Sequence, residues 1–579
     1  MIDHSKTLQA QLDACLQSIL STFPELPADF TSEVTPAADT RYGDYQTNAA
    51  MTLARPLRQN PRQIAAALVE KLTAEVAGLS SAPEIAGAGF INFKVTAEAL
   101  AEKLRALALD PERLGVPVTA HPKRIVIDFS APNVAKPMHI GHIRGTLLGD
   151  ALNRIARFLG HEVITDNHIG DWGTQFGMIV YGYKHLLDKA AYEADAMTEI
   201  VRIYRAVNLL TKEKPDVLEQ AKQELVKLQA GDPENQAIWQ ETVDKSREAF
   251  EKVYAQLDIK FDVTLGESFY NDALQPLVDR LLTEGIAETS EGAVCIFFRD
   301  NERLAEKPFL IRKTDGASLY STTDLATLEY RVKELCADEI WYVVGLPQSH
   351  HFEQLFASAQ RMGIHAKATH IGFGNVLGKD SKLMRTRSGE SVGLQGVLDE
   401  AVERVLLVVK EKNPDMPEAE QQKIAGLLGI GAIKYAELSQ YRLGDYIFDY
   451  DKMLALQGNT APYLCYVYVR CRGIFRRGEG IAADPAGPLV IAEPAERALS
   501  LKLAQFGEVV PMVLNDYRPN ILANYLYELA REFHAFFEAC PVLRAEGTAL
   551  NTRLMLTQLT ADVLKKGLEL LGIEVPERM

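Results

Sequence analysis

The sequence is poor in cysteine. It has six in 579 residues, none forms a CxxC pair, and Cys465 and Cys471 are six apart, which is not metal-ligand spacing. That usage fits reduced thiols, with no structural zinc. No run of about 18 apolar residues occurs, so no membrane span is expected. The opening MIDHSKTLQAQLDACLQSIL lacks a basic segment followed by an apolar one, so neither a signal peptide nor a non-cytoplasmic location is expected. A basic surplus is also lacking: 62 Lys+Arg stand against 78 Asp+Glu, a net charge of −16. A generic polyanion binder is thereby excluded, and any contact with nucleic acid must use local basic patches. The glycine-rich P-loop signature is absent, as is HExxH, and no internal repeat is visible.

What is present is ordinary for a globular chain, with 47% hydrophobic and 24% charged residues. Residues 1–115 read as a small α+β module. Leu8, Leu12, Cys15, Leu16 and Ile19 have helical spacing, Pro61 opens a second helix, and residues 89–95 alternate like a strand. The stretch DPERLGVPVTAHP, with three prolines and a glycine, marks a boundary. Residues 116–410 are expected to form an α/β core of Rossmann type. Ile125 to Phe129 is a short apolar strand. A helix with Ile143, Leu147, Ala151 and Ile155 on one face follows, Gly160 ends it, and HEVIT is the next strand. Charged helical sequence at about 181–260 reads as an insertion. Strand signals return at residues 340–344 and 369–378. After the KNPDMP break, residues 411–579 read as an all-α module.

The strongest local signal is His139-Ile140-Gly141-His142, after the first core strand and at the start of the first core helix. Two imidazoles at i and i+3 share a helical face. Free backbone N–H groups and the dipole at a helix N-terminus favour an anion. Gly141 removes a side chain where a ligand could approach the backbone. The combination suits nucleotide phosphates, with the imidazoles donating to charge that develops at phosphorus. A zinc site is the weaker reading, since no third His or Cys stands at ligand spacing.

The segment from Asp128 through Asn133 and Lys136 to His139-Ile-Gly141-His142 resembles the first nucleotide-binding segment of the class I aminoacyl-tRNA synthetases. Its APNVAK variant is similar to that of the arginyl-tRNA synthetase family. Asn167-His168-Ile-Gly170-Asp171-Trp172-Gly173-Thr-Gln175 resembles that family's next block, and Gly458-Asn-Thr-Ala-Pro-Tyr463 resembles part of its C-terminal module. The likeness extends over most of the chain. It implies ligation of arginine to tRNA(Arg) with ATP, Mg²⁺ as the ATP counter-ion, and activation that requires bound tRNA. It implies no membrane and no DNA partner, and a monomer is expected.

Residue by residue, the resemblance implies arginine contacts at Asp128, Asn133, Tyr320, Asp324 and Gln348. It implies ATP contacts at His139, Gly141, His142, His351, Lys382 and Arg385. The family's KMSKS loop corresponds to Lys382-Leu-Met-Arg385-Thr386-Arg387-Ser-Gly, which lacks the second lysine. Lys136, just before the HIGH segment, is expected to compensate as a point charge on the polyphosphate, and Lys136 and Arg387 join the two histidines as catalytic candidates. The resemblance places tRNA contacts at Phe90 and Asn92 in a D-loop-binding N-terminal module. It places others in an anticodon-binding C-terminal module, where Tyr463, Arg470 and Arg472 interleave aromatic and basic character. Asp128 stands out on chemistry alone, because a carboxylate ending an apolar strand needs a partner. Three other readings remain open: an inactive tRNA-binding paralogue, another class I synthetase, and another nucleotidyl transferase with a HIGH-type helix.

Overall fold

The computed structural model describes residues 6–23, 26, 30–37, 39, 41–385, 392–478 and 481–579. The chain forms two compact units, one of Met1–Val118 with Ala455–Met579 and one of Thr119–Leu454.

The N-terminal segment begins with helix α1 (Leu8–Ser21), capped by the Thr7 hydroxyl, which accepts from the Ala10 N–H at 3.1 Å. Strands β1 (Thr35–Pro36) and β2 (Tyr45–Thr47) precede helices α2 (Ala49–Leu57) and α3 (Pro61–Glu75). Pro61 stands in the first turn of α3 and the Asn60 side chain caps it. Strands β3 (Glu84–Ala86) and β4 (Phe90–Phe93) complete an antiparallel sheet of order β1-β2-β4-β3, and α4 (Ala97–Ala108) follows. Leu8, Leu12, Leu16, Ile64, Leu68, Ile91 and Phe93 are among its buried core.

In the second unit, β5 (Arg124–Asp128), α5 (Ile140–Phe158) and β6 (Glu162–Asp166) form the expected βαβ unit. Gly149 lets α5 close onto β5: a Cβ there would stand 2.2 Å from Phe129 Cγ. Gly160, at φ 92°, lies two residues beyond α5. Five helices then form the insertion: α6 (Gln175–Leu186), α7 (Lys189–Ala194), α8 (Ala196–Glu213), α9 (Pro215–Gln229) and α10 (Pro233–Gln256). Their apolar faces, with Phe176, Ile200, Leu228 and Val243, pack on Val134, Ala135 and Ile169 of the loops above the sheet. Helix α11 (Asn271–Thr283) and an antiparallel meander of β7 (Glu288–Ser290), β8 (Ala293–Ile296) and β9 (Phe309–Arg312) lead to α12 (Tyr320–Lys333). Strand β10 (Glu339–Tyr342), α13 (Ser349–Arg361) and β11 (Lys367–His370) complete an all-parallel sheet of order β11-β10-β5-β6. Its last rung aligns Tyr342, Asp128 and Asp166 across three strands.

Strand β12 (Val376–Leu377), helices α14 (Leu394–Lys412) and α15 (Glu418–Leu438), β13 (Tyr446–Ile447) and α16 (Tyr450–Met453) also belong to this unit, which runs to Leu454, past the expected boundary at 410. The KNPDMP break is the turn of a helical hairpin. A Cβ at Gly429 would stand 3.0 Å from the Ala401 carbonyl oxygen, so α15 approaches the α14 backbone directly. Helices α17 (Ala461–Arg477), α18 (Pro494–Ala504), α19 (Phe506–Asn515), α20 (Asn520–Ala539) and α21 (Gly547–Leu570) return to the first unit. There Ala504 joins the N-terminal core, Arg497 pairs with Asp44 at 2.6 Å, and Glu508 accepts from the Tyr45 hydroxyl at 2.9 Å.

Candidate active site

The loops at the carboxyl ends of β5, β6 and β10 converge over the parallel sheet, where an open sheet of this kind places its ligands. The loop after β5 is held in an uncommon shape, with Ser130, Ala131 and Ala135 at φ 74°, 47° and 63°. Polar contacts fix it. Ser130 Oγ lies 2.8 Å from the Tyr254 hydroxyl and 2.9 Å from Thr146 Oγ1. Asn167 Nδ2 donates to the same tyrosine at 3.1 Å, and the Ala131 N–H donates to Asn167 Oδ1 at 3.2 Å.

At the start of α5 the two histidines cap the helix reciprocally. His139 Nδ1 accepts from the Gly141 N–H at 3.1 Å, and His142 Nδ1 accepts from the His139 N–H at 3.1 Å. The ring centroids are 4.0 Å apart. Burial, then the charge of Lys136, pushes the His139 pKa down. Burial, then His139, pushes His142 down to about 4. Both rings are therefore neutral at neutral pH, and with Nδ1 accepting, each has an Nε2–H left to donate. This corrects the expectation of free backbone donors. The Ile140 N–H is taken by the Val392 carbonyl at 2.9 Å, and those of Gly141 and His142 are bonded within the cap. It also changes the reason for Gly141. A Cβ there would stand 2.9 Å from His139 Cε1, so the missing side chain makes room for the imidazole.

A cluster of carboxylates stands at the carboxyl end of the sheet, where Asp171 follows β6 and Asp324 acts on Tyr342 at the end of β10. Asp324, on the first turns of α12, meets His351 Nε2 at 2.5 Å. Glu267 follows Gly266, where a Cβ would collide with the Asp171 carboxylate at 2.1 Å. Asp171 in turn accepts from the Ser268 N–H at 2.8 Å and its hydroxyl at 2.7 Å. Burial, then the Asp171 and Asp324 charges, raises the Glu267 pKa to about 8. None of the ion pairs among the described residues involves Glu267. A half-buried carboxylate without a cation partner is chemically suited to a guanidinium. Sequence reasoning missed Glu267, whose only local signal is the glycine before it.

The remaining expected residues fall into place unequally. Tyr320 and Gln348 are exposed at the same end of the unit, at the start of α12 and in the short 3-10 turn Leu346–Gln348 after β10. Asn133 bridges to Gly170, whose missing Cβ would stand 2.3 Å from Asn133 Oδ1. His351, expected on ATP, is the hydrogen-bond partner of Asp324. Asp128, expected on arginine, is buried, and its Oδ2 accepts from Arg331 Nη2 at 2.8 Å. Lys136 is exposed, with Nζ 5.7 Å from the Tyr204 ring.

The KMSKS-like loop leaves from β12, which pairs with β13, and Gly378 N–H donates to the Lys382 carbonyl at 2.8 Å. Lys382 and Arg385 are exposed, while Thr386 and Arg387 lie outside the described residues. On its far side the chain pairs with the HIGH turn, since Leu394 N–H donates to the Met138 carbonyl at 2.9 Å.

The expected nucleic-acid residues lie in the other unit. Tyr463, Tyr466 and Arg470 form one stripe of α17 and line a cavity of about 500 Å³ with Phe533 and His534. Arg470 lies over Phe537 at 4.4 Å. Arg472 stands off that stripe, where its charge acts on Asp562. Phe90 and Asn92 share a face of β4, and Asn92 lines a separate cavity of about 710 Å³ with Arg41, Tyr42 and Lys94. Among the described residues no group of three or more His, Cys, Asp or Glu is disposed to hold a metal.

Comparison with known proteins agrees with this arrangement. Residues 105–450 match the family model for the class I tRNA synthetase (R) catalytic domain. Residues 464–579 match the DALR anticodon binding domain, and residues 6–95 match the arginyl-tRNA synthetase N-terminal domain. The arginine–tRNA ligase of Rhodopirellula baltica is 40% identical, with 98% of this chain and 99% of that protein covered. That of Thermobifida fusca is 45% identical, with 93% and 94% covered. The solved arginyl-tRNA synthetase of Thermus thermophilus superposes with a TM-score of 0.84 at 25% identity, over 99% of this chain and 100% of that one. Catalytic, N-terminal and anticodon-binding models thus match in the order the fold presents them, and the chain belongs to the arginyl-tRNA synthetase family of class I.

Proposed function

We propose that this chain activates L-arginine with ATP at the carboxyl end of its parallel sheet and transfers it to tRNA(Arg), with the following division of labour. The reaction is that of an arginine–tRNA ligase: the arginine carboxylate attacks the α-phosphorus of ATP, pyrophosphate leaves, and a terminal ribose hydroxyl of the tRNA takes the arginyl group. The observation that carries the pocket assignment is the convergence of Glu267, Asp171 and the Asp324–His351 pair at the carboxyl end of the parallel sheet. Glu267 and Asp324 neutralise the guanidinium, Tyr320, Asn133 and Gln348 orient the amino acid, and His351 holds Asp324 in place. The two neutral imidazoles donate from Nε2 to oxygen on the phosphate, where charge grows as the phosphorus is attacked. Positioning the two substrates in line supplies the rest. Lys136 and the exposed Lys382 and Arg385 supply cations for the pyrophosphate. Mg²⁺ enters as the counter-ion of the triphosphate, since no group of three or more metal-ligating side chains stands ready for it among the described residues, and no step here runs through it.

For tRNA, the Tyr463–Tyr466–Arg470 cavity suits a splayed anticodon base, with aromatic rings to stack on it and a guanidinium to reach it. The Asn92 cleft with Arg41 and Lys94 suits a D-loop base. The test is aminoacylation of total tRNA with each amino acid in turn. Charging by arginine alone is expected. Charging by another amino acid overturns the pocket assignment, and no pyrophosphate exchange with tRNA present identifies an inactive paralogue.

A further inference from the structure

The three residues of the sheet's last rung meet one side chain. Arg331, with no exposed surface, places Nη2 2.8 Å from Asp128 Oδ2 and 2.7 Å from Asp166 Oδ2, and its guanidinium lies 5.3 Å from the centre of the Tyr342 ring. One cation therefore ties the ends of β10, β5 and β6, from which the loops carrying Gln348, Asn133 and His139, and Asp171 depart. Arg331 also belongs to α12. Counted along that helix, Tyr320, Asp324 and Arg331 fall at i, i+4 and i+11, a single stripe. The helix that brings two pocket residues to the site is thus pinned to the sheet by the third.

This cluster is poorly arranged for stability alone. Arg331 Nε and Nη1 and the hydroxyls of Tyr270 and Tyr342 are buried without a hydrogen-bond partner among the described residues. A buried ion cluster often stabilises less than apolar side chains of similar volume. Its geometric product is a fixed distance between α12 and three strand ends.

We propose that Arg331 is a positioning residue for the arginine pocket, acting through Asp128, Asp166 and α12. The inference rests on the assignment of Tyr320 and Asp324 to that pocket. Aminoacylation by the full-length enzyme at saturating tRNA tests it, reading KM for arginine and for ATP separately. Arg331→Gln is expected to raise the arginine KM about tenfold or more and to leave the ATP KM within about twofold. Arg331→Lys should recover part of the loss. Asp166→Asn should add little in the Arg331→Gln background, because its partner is already gone. Asp166→Asn costing as much there as in the wild type would overturn the inference by showing that this carboxylate acts independently of Arg331. Asp324→Asn is the control. If it raises the arginine KM while Arg331→Gln does not, the pocket stands and the positioning role is wrong. If it changes nothing, the pocket assignment fails and this inference fails with it. Should Arg331→Gln not fold, Asp128→Asn and Asp166→Asn decide the matter. The two carboxylates share one nitrogen, so both must give the same split between substrates, and an effect confined to Asp128 rejects the proposal.

Discussion

Replacing Glu267 by glutamine removes the one carboxylate in the pocket that burial keeps protonated. With its pKa raised to about 8, the group is about nine-tenths neutral at pH 7. A guanidinium arriving opposite it favours the ionised form, so binding lowers this pKa and expels the proton. The sign follows. Below about pH 8 arginine binding releases close to one proton, and affinity rises with pH; above about pH 8 the carboxylate is already ionised and the dependence flattens. Ionising the group at pH 7 costs about 1.4 kcal/mol, so affinity at pH 7 should be about tenfold below its plateau. Isothermal titration of arginine into the enzyme, repeated in buffers of different ionisation enthalpy, counts the proton directly. Glu267→Gln should abolish the release and cost on the order of 3–5 kcal/mol of arginine binding, while sparing ATP. No proton released by the wild type at pH 7, or an equal release by the variant, refutes the assignment of Glu267 to the guanidinium.

The other predictions concern the remaining machinery and the fold. His142→Ala should lower kcat for activation roughly 100-fold with little change in arginine KM, because one phosphate donor is lost; an unchanged rate in a folded variant would count against the neutral-donor role. Lys136→Met should slow pyrophosphate exchange more than neutralising Lys382 or Arg385 singly, and the reverse order would assign the phosphate charge to the KMSKS-like loop. Glu508 is raised to about 7 by burial, against an ordinary 4.5, so the unfolded chain ionises first and stability falls as pH rises from about 4.5 to 7. Glu508→Gln keeps an acceptor for the Gln9 N–H at 3.0 Å and should raise Tm at pH 8 but not at pH 4; equal shifts at both would remove the titration argument.

Much of the fold was legible because local rules coincide with tertiary ones there. The apolar stripe of α5, Pro61 at the start of α3 and the apolar strand before the HIGH turn each appear where periodicity and capping put them. The meander β7–β9 was not legible. Its strands have three, four and four residues, too short for alternation to separate them from loop. The domain boundary was misplaced for a related reason. A proline-rich break reads the same whether it joins two units or turns one helix back on another, and only the close approach at Gly429 distinguishes them.

The site divides along the same line. Residue type announced that Asp128 needs a partner, but that partner is 203 residues away on another element, beyond the reach of any spacing rule. Glu267 has no motif, because what makes it chemical is the burial and the two neighbouring carboxylates that the fold supplies. The KMSKS-like loop shows the converse. Both of its feet are set by backbone pairing, one through β12 and β13 and the other against Met138 and Ile140 of the HIGH turn. Among the described residues, the cations Lys382 and Arg385 lie near the first foot and Lys136 near the second. Neither anchor uses a lysine side chain, so the chain keeps both without the second lysine of the motif, and under the proposed division of labour a lysine two residues before Met138, at position 136, serves the polyphosphate instead.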